Sequence, residues 1–156
     1  MVTVEGWNLP CIVIRGQSTM SILIETEREG TLRQRIVFND HEALYADAPA
    51  SAGGEESAPD PHDYFDISLA TCKAMTVLMY ARKKEMPLDG VSVRVTRDSS
   101  NERDGQYRLQ VDIGLIGDLS AQARDRLLEA SEQCPIQKLM TSGHIEIETH
   151  AHLGGA

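Results

Sequence analysis

Two cysteines stand where a sulfur could do chemistry. Cys72 lies in Ala70-Thr71-Cys72-Lys73-Ala74-Met75-Thr76, inside a helical pattern, and Cys134 opens Cys134-Pro135-Ile136-Gln137-Lys138 directly after another. A thiolate is the form that attacks a peroxide, and the resulting sulfenic acid condenses with a second thiol to a disulfide. That condensation needs the two Cα atoms within roughly 7 Å. Cys72 is not at the positive end of its helix, and Lys73 projects about 100° away around the axis, so an activating cation has to come from elsewhere. Arginine stays charged when partly buried, and Arg15, Arg28, Arg33 and Arg35 lie on the early strands. A proline break such as Pro135 beside Cys134 can locally expose a side chain, and a resolving thiol needs that access. Free cysteine is also among the most buried residue types, so each sulfur is compatible with a plain core thiol. Cys11, at the head of an apolar strand, reads as one.

The histidines carry less. His62 opens the first long helix, where it can bond a ligand or a partner chain, but it is nearly three turns from Cys72. His144, His150 and His152 do not form a zinc pattern with a carboxylate, and no Cys-x-x-Cys occurs, so neither a metal nor another cofactor is expected.

The elements that position these residues follow from periodicity. Cys11–Ile14, Met20–Glu25 and Leu32–Phe38 read as strands of an antiparallel meander. The segment 47–61 is rich in Pro, Ala, Ser, Gly and acids, with Gly53-Gly54 as its bend, and is the expected functional loop. Asp60 and Pro61 open a helix to Met86, with Phe65, Leu69, Cys72, Thr76 and Met79 recurring at threes and fours and Ile67, Met75 and Leu78 widening the apolar surface. Such a helix should be covered on more than one side. Val91–Val95 and Tyr107–Ile116 form a hairpin. Ser120 caps a second helix that Pro135 kinks or interrupts, leaving Cys134 near a helix end, and Ile145–Thr149 is a last strand. The order gives an α+β class and a single domain over 1–156.

The 156 residues are 41 % hydrophobic and 25 % charged, which fits a globular chain. A net charge of -9 repels a phosphate backbone, so nucleic acid is not an expected partner. Neither a membrane span nor a secretion signal is legible, and the expected location is the cytoplasm.

Three blocks carry a resemblance. They are Asp47 through Gly53-Gly54 to Pro61-His62-Asp63-Tyr64-Phe65 and Leu69-Ala70-Thr71-Cys72-Lys73-Ala74-Met75-Thr76; Leu88-Asp89-Gly90-Val91; and Cys134-Pro135-Ile136-Gln137-Lys138-Leu139. In order and spacing the chain resembles the OsmC/Ohr family of osmotically inducible and organic-hydroperoxide-resistance proteins. The resemblance implies antiparallel strands wrapped around two central helices in an intertwined homodimer. It implies a thiol peroxidase that reduces organic hydroperoxides with Cys72 as peroxidatic and Cys134 as resolving cysteine, recycled by a small thiol or a lipoylated protein. Family peroxidases carry a glutamate after the helix-opening proline, paired with an activating arginine. Here His62 holds that place, and the resemblance assigns the pair to Asp63 and Arg15. His62, Phe65 and Met75 are the expected ligand contacts. The alternative is a non-enzymatic protein of the same fold that holds an apolar or sulfur-containing ligand at the dimer interface.

Overall fold

The computed structural model describes residues 22–27, 30–38 and 44–151. The chain divides into two compact units, Met1–Pro61 and His62–Ala156, and each is described by itself.

The first unit contains the meander. β1 (Ile22–Thr26), β2 (Gln34–Phe38) and β3 (Leu44–Ala46) form one antiparallel sheet in the order β1-β2-β3. Gly30 takes a φ of 78° in the β1–β2 turn, a conformation open to glycine without a Cβ penalty. Arg15, Arg28, His41 and the expected strand Cys11–Ile14 lie outside the described residues.

The segment after β3 is an ordered loop built on one carboxylate. Asp47 is buried, and its Oδ1 accepts from the Ala48 amide at 2.8 Å. Its Oδ2 accepts from the Glu55 and Ser57 amides at 3.2 and 3.0 Å and from the Ser57 hydroxyl at 2.6 Å. Arg33 clamps the same serine through Nη1, at 2.7 Å from Ser57 Oγ, and stacks over the Tyr45 ring while pairing with Glu27. The bend does fall at Gly53-Gly54: Gly53 has a φ of 87°, and a Cβ on Gly54 would sit 1.9 Å from the Ala48 carbonyl oxygen. The hydrogen bonds from Ser57, joined by those from Ala48 and Glu55, hold the Asp47 carboxyl down to about 2. A depressed carboxylate supports the fold above its ordinary range and loses that support as pH falls toward about 2. Asp47→Ala is therefore expected to speed amide exchange at Ala48, Glu55 and Ser57 by about tenfold or more at neutral pH. Unchanged protection at those three amides would remove Asp47 from its organising role.

The second unit is a hairpin and three helices. α1 (Pro61–Lys83) opens with Pro61 in its first turn, and Pro87 lies just beyond its end. β4 (Gly90–Asp98) and β5 (Arg108–Ile116) pair antiparallel from Gly90↔Ile116 to Asp98↔Arg108. α2 (Ala121–Ser131) is capped by Ser120, whose Oγ accepts from the Ala123 amide at 3.2 Å. α3 (Pro135–Ser142) follows Cys134. Val77 and Ala81 of α1 pack on Leu119 and Leu127, with Tyr80, Leu88, Val91 and Leu115 around them. Among the described residues no helix is long and apolar enough to cross a membrane.

Of a kink or an interruption, Pro135 makes the interruption. Its missing amide suits a first helical position, so it starts a separate α3 and makes three helices rather than two. Ile145–Thr149 alternates as a strand should but makes no ladder, because β4 and β5 pair only with each other among the described residues. Finally, the buried stripe of α1 is Leu69, Lys73, Val77 and Ala81, spaced by fours. The residues that widen the apolar surface lie largely off this stripe, with Met79 70 % and Met75 62 % exposed and Phe65, Ile67 and Leu78 also open.

Candidate active site

α1 presents Cys72 half-buried, one residue ahead of the stripe that packs inward, and the α2–α3 junction brings Cys134 to it. The junction is tight. The Glu132 and Gln133 amides donate to the Glu129 and Ala130 carbonyls at 3.1 and 3.0 Å, and the Cys134 amide donates to Ser131 at 3.3 Å. α3 then starts on Cys134, whose sulfur accepts from the Gln137 amide at 3.5 Å in the place of a capping side chain. Cys134 is fully buried.

The residues on either side of Cys134, namely Gln133, Pro135 and Ile136, line one groove with Cys72. Burial pushes the Cys134 thiol up, and its hydrogen bond toward Cys72 pushes it further, against a smaller opposing contribution from the Gln137 amide. Cys134 is therefore favoured as the protonated thiol. Beside the pair runs an open groove of about 560 Å³, lined by Ser68, Thr71, Cys72, Met75, Thr76, Met79, Gln133, Pro135 and Ile136. Its described lining is mainly apolar and carries no charged side chain. An apolar molecule with a small polar head fits such a groove better than a charged one.

Of the other residues singled out from the sequence, Met75 lines this groove. Phe65 lies against the Tyr107 ring edge-on, with centroids 5.7 Å apart, and lines a second groove of about 630 Å³ with Leu69, Tyr107 and Met140. His62 Nε2 is 2.8 Å from Glu102 Oε1. Asp63 accepts from Arg97 Nη2 at 2.8 Å, and its position on α1 is about 13 Å along the axis from that of Cys72. Arg97 also reaches Asp66 at 3.4 Å, and the Tyr107 hydroxyl donates to Asp66 at 3.0 Å. The carboxylates at the start of α1 are thus engaged by Arg97 of β4. Within the first unit, Arg33 is engaged by Glu27 and Ser57, and Arg35 is 3.5 Å from Glu25.

Sequence reasoning passed over Arg97 and Tyr107, yet a signal existed. Arg97 continues the inward parity of Val91, Val93 and Val95, and Tyr107 that of Leu109, Val111 and Ile113. A cation and a phenol in line with core positions need partners. Burial holds the Tyr107 hydroxyl protonated beyond its usual range, which fits a donor to Asp66.

The model of the OsmC-like protein family matches residues 53–150, which takes in both cysteines and all three helices. This chain is an OsmC-like protein. Solved structures of similar fold include an OsmC-like protein from Mycoplasma pneumoniae, at TM-score 0.64 and 17 % identity, covering 81 % of this chain and 90 % of that one. An organic hydroperoxide resistance protein from Legionella pneumophila matches at TM-score 0.59 and 18 % identity, over 83 % of this chain and 93 % of the other. The organic hydroperoxide resistance protein OhrB of Bacillus subtilis matches at 0.51 and 22 %, over 80 % and 91 %. At these identities the likeness is one of fold. No curated protein sequence matches significantly. The OsmC-like chain combines that α+β fold, with antiparallel strands and three helices, with two free thiols, Cys72 and Cys134.

Proposed function

We propose that this OsmC-like protein reduces organic hydroperoxides through Cys72 and Cys134, and the observation that carries the reading is the apolar groove that Cys72 shares with the residues flanking Cys134. The Cys72 thiolate attacks the terminal peroxide oxygen, the O–O bond breaks, and the alkoxide leaves as an alcohol after taking a proton. Cys72 becomes a sulfenic acid. Cys134 loses its proton and attacks that sulfur; the hydroxide expelled takes up a proton and leaves as water, and the disulfide closes. Two electrons from a small thiol or a lipoylated protein restore both thiols. The relatives named for organic hydroperoxide resistance support the substrate class.

The functional unit in this reading is a homodimer, supported by the open apolar side of α1. Asp63 and Arg15 form the activating pair in this reading, after a rearrangement that frees Asp63 from Arg97.

One equivalent of cumene hydroperoxide should lower the mass of the reduced chain by the two hydrogens of a disulfide and yield a Cys72–Cys134 crosslinked peptide. Since closure needs the Cys134 thiolate and burial favours the thiol, its rate should climb with pH from about 6 and keep climbing past the ordinary thiol range near 8.5. Stopped-flow decay of the sulfenic state measures this step. A chain that consumes hydroperoxide without the crosslink, or closure already level with pH by about 8, would overturn the assignment of Cys134.

A further inference from the structure

Lys73 is a lysine in a stripe of core residues. It is 3 % exposed, between Leu69 and Val77, and nothing in the proposed chemistry uses it. Removing an ammonium from water is costly unless strong partners compensate, so its partners explain its position. Lys73 Nζ donates to the Ser131 carbonyl at 3.2 Å and to Glu132 Oε1 at 3.0 Å. The Ser131 carbonyl closes the last turn of α2, where a cation is favoured by the negative end of the helix. The same oxygen accepts the Cys134 amide at 3.3 Å. The second oxygen of Glu132 accepts from Gln137 Nε2 at 2.7 Å, and the Gln137 amide donates to the Cys134 sulfur at 3.5 Å.

These bonds form two routes from one lysine to one cysteine. One passes through the Ser131 carbonyl to the Cys134 backbone; the other passes through Glu132 and Gln137 to the Cys134 sulfur. The lysine follows Cys72 on the same rigid helix, so whatever fixes its head group also fixes the junction relative to Cys72. The hydrogen bonds from Gln137 and Lys73 hold the Glu132 carboxyl below its usual range, which keeps the carboxylate charged at the pH where the thiols react.

We propose that Lys73 and Glu132 form a positioning strut that sets the Cys72–Cys134 distance and thereby the stability of the disulfide between them. The strut rests on the disulfide reading above, though not on peroxidase turnover. A thiol pair held in place has a high effective concentration, which favours the disulfide over two thiols and lowers its reduction potential. Loosening the junction should raise the potential.

The test equilibrates the full chain in dithiothreitol redox buffers and reads the fraction of Cys72–Cys134 disulfide by mass spectrometry, with no hydroperoxide present. Lys73→Met keeps the side-chain volume and removes the buried charge, a replacement a core tolerates well. Glu132→Gln alters a side chain that is 61 % exposed and keeps folding out of question if the buried substitution fails. Each variant is expected to lower the effective concentration of the pair about tenfold, an upward shift of about 30 mV. The double variant should shift no further than Lys73→Met alone, because that substitution already breaks both routes. The thermal midpoint of each variant, measured in the reduced state, does not set the potential and separates loss of fold from loss of alignment. Potentials that stay put, fall, or move in Lys73→Met alone would overturn the strut. Failure of the unaltered chain to form the disulfide at any poise would overturn the strut and the disulfide reading together, whereas loss of peroxidase activity with the shifts intact would overturn the peroxidase reading alone.

Discussion

Replacing Cys72 by serine is expected to lower hydroperoxide turnover by about a thousandfold or more, while Cys134→Ser should still consume one equivalent and then stall. The difference comes from the order of the two steps. Serine oxygen cannot be oxidised to a sulfenic equivalent, so without the Cys72 sulfur no electron pair reaches the peroxide. Without Cys134 the first oxidation proceeds, but the sulfenic acid finds no thiol at its side. It should then persist long enough to be captured by dimedone, which adds to sulfenic acids and to neither thiols nor disulfides. Both variants have local reasons to fold. A hydroxyl at position 72 can bond back to the carbonyl four residues earlier, as Thr76 does to Cys72 at 2.8 Å. A serine at position 134 can accept the Gln137 amide, and serine is the better residue at a helix start. Stopped-flow consumption of cumene hydroperoxide at equal concentrations of the three proteins gives the comparison. An unchanged rate in Cys72→Ser would end the case for this residue as the nucleophile.

Much of this site was legible in the chain, and the parts that were not share one cause. Helix and strand periodicity located α1, β4, β5 and the start of α2 because each pattern is local. The pairing of Cys72 with Cys134 was not local. Spacing along the chain left it open, the family resemblance implied it, and the structure places Cys72 in one groove with the neighbours of Cys134. Which side of α1 packs within the chain was not legible, because apolar residues occur nearly all around it. A stripe through Leu69, Val77 and Ala81 was available, but it ran through Lys73, and a lysine is ordinarily discounted as a core position. Only its partners at the end of α2 make that position intelligible. Asp47 shows the converse case. The loop composition suggested a functional rim, whereas the number of amides converging on one carboxylate could be seen only once the chain had turned back on itself.

The open side of α1 yields the second large effect. A Glu at Ile67 and another at Leu78 are expected to weaken self-association by about a hundredfold or more. Both positions belong to the apolar side that α1 does not pack against its own hairpin, and neither lines the groove beside Cys72. Water over such a face is unfavourable for a chain of this size, and a second copy that presents the same helix would cover it symmetrically. Every substitution then occurs twice in one interface. A carboxylate buried without a partner costs well over the roughly 1.4 kcal/mol that changes an affinity tenfold, and twofold symmetry doubles that cost. The monomer loses nothing comparable, because in the isolated chain both side chains face solvent. Sedimentation across a concentration series should therefore show the unaltered protein near twice its 17.2 kDa chain mass and the double variant near the chain mass under the same conditions. If the double variant remains a dimer, the subunits meet on a surface other than the outer side of α1. If it dissociates with its Cys72–Cys134 potential unchanged, the sulfur pair is a property of the single chain, and association contributes the walls of the substrate groove rather than the redox chemistry.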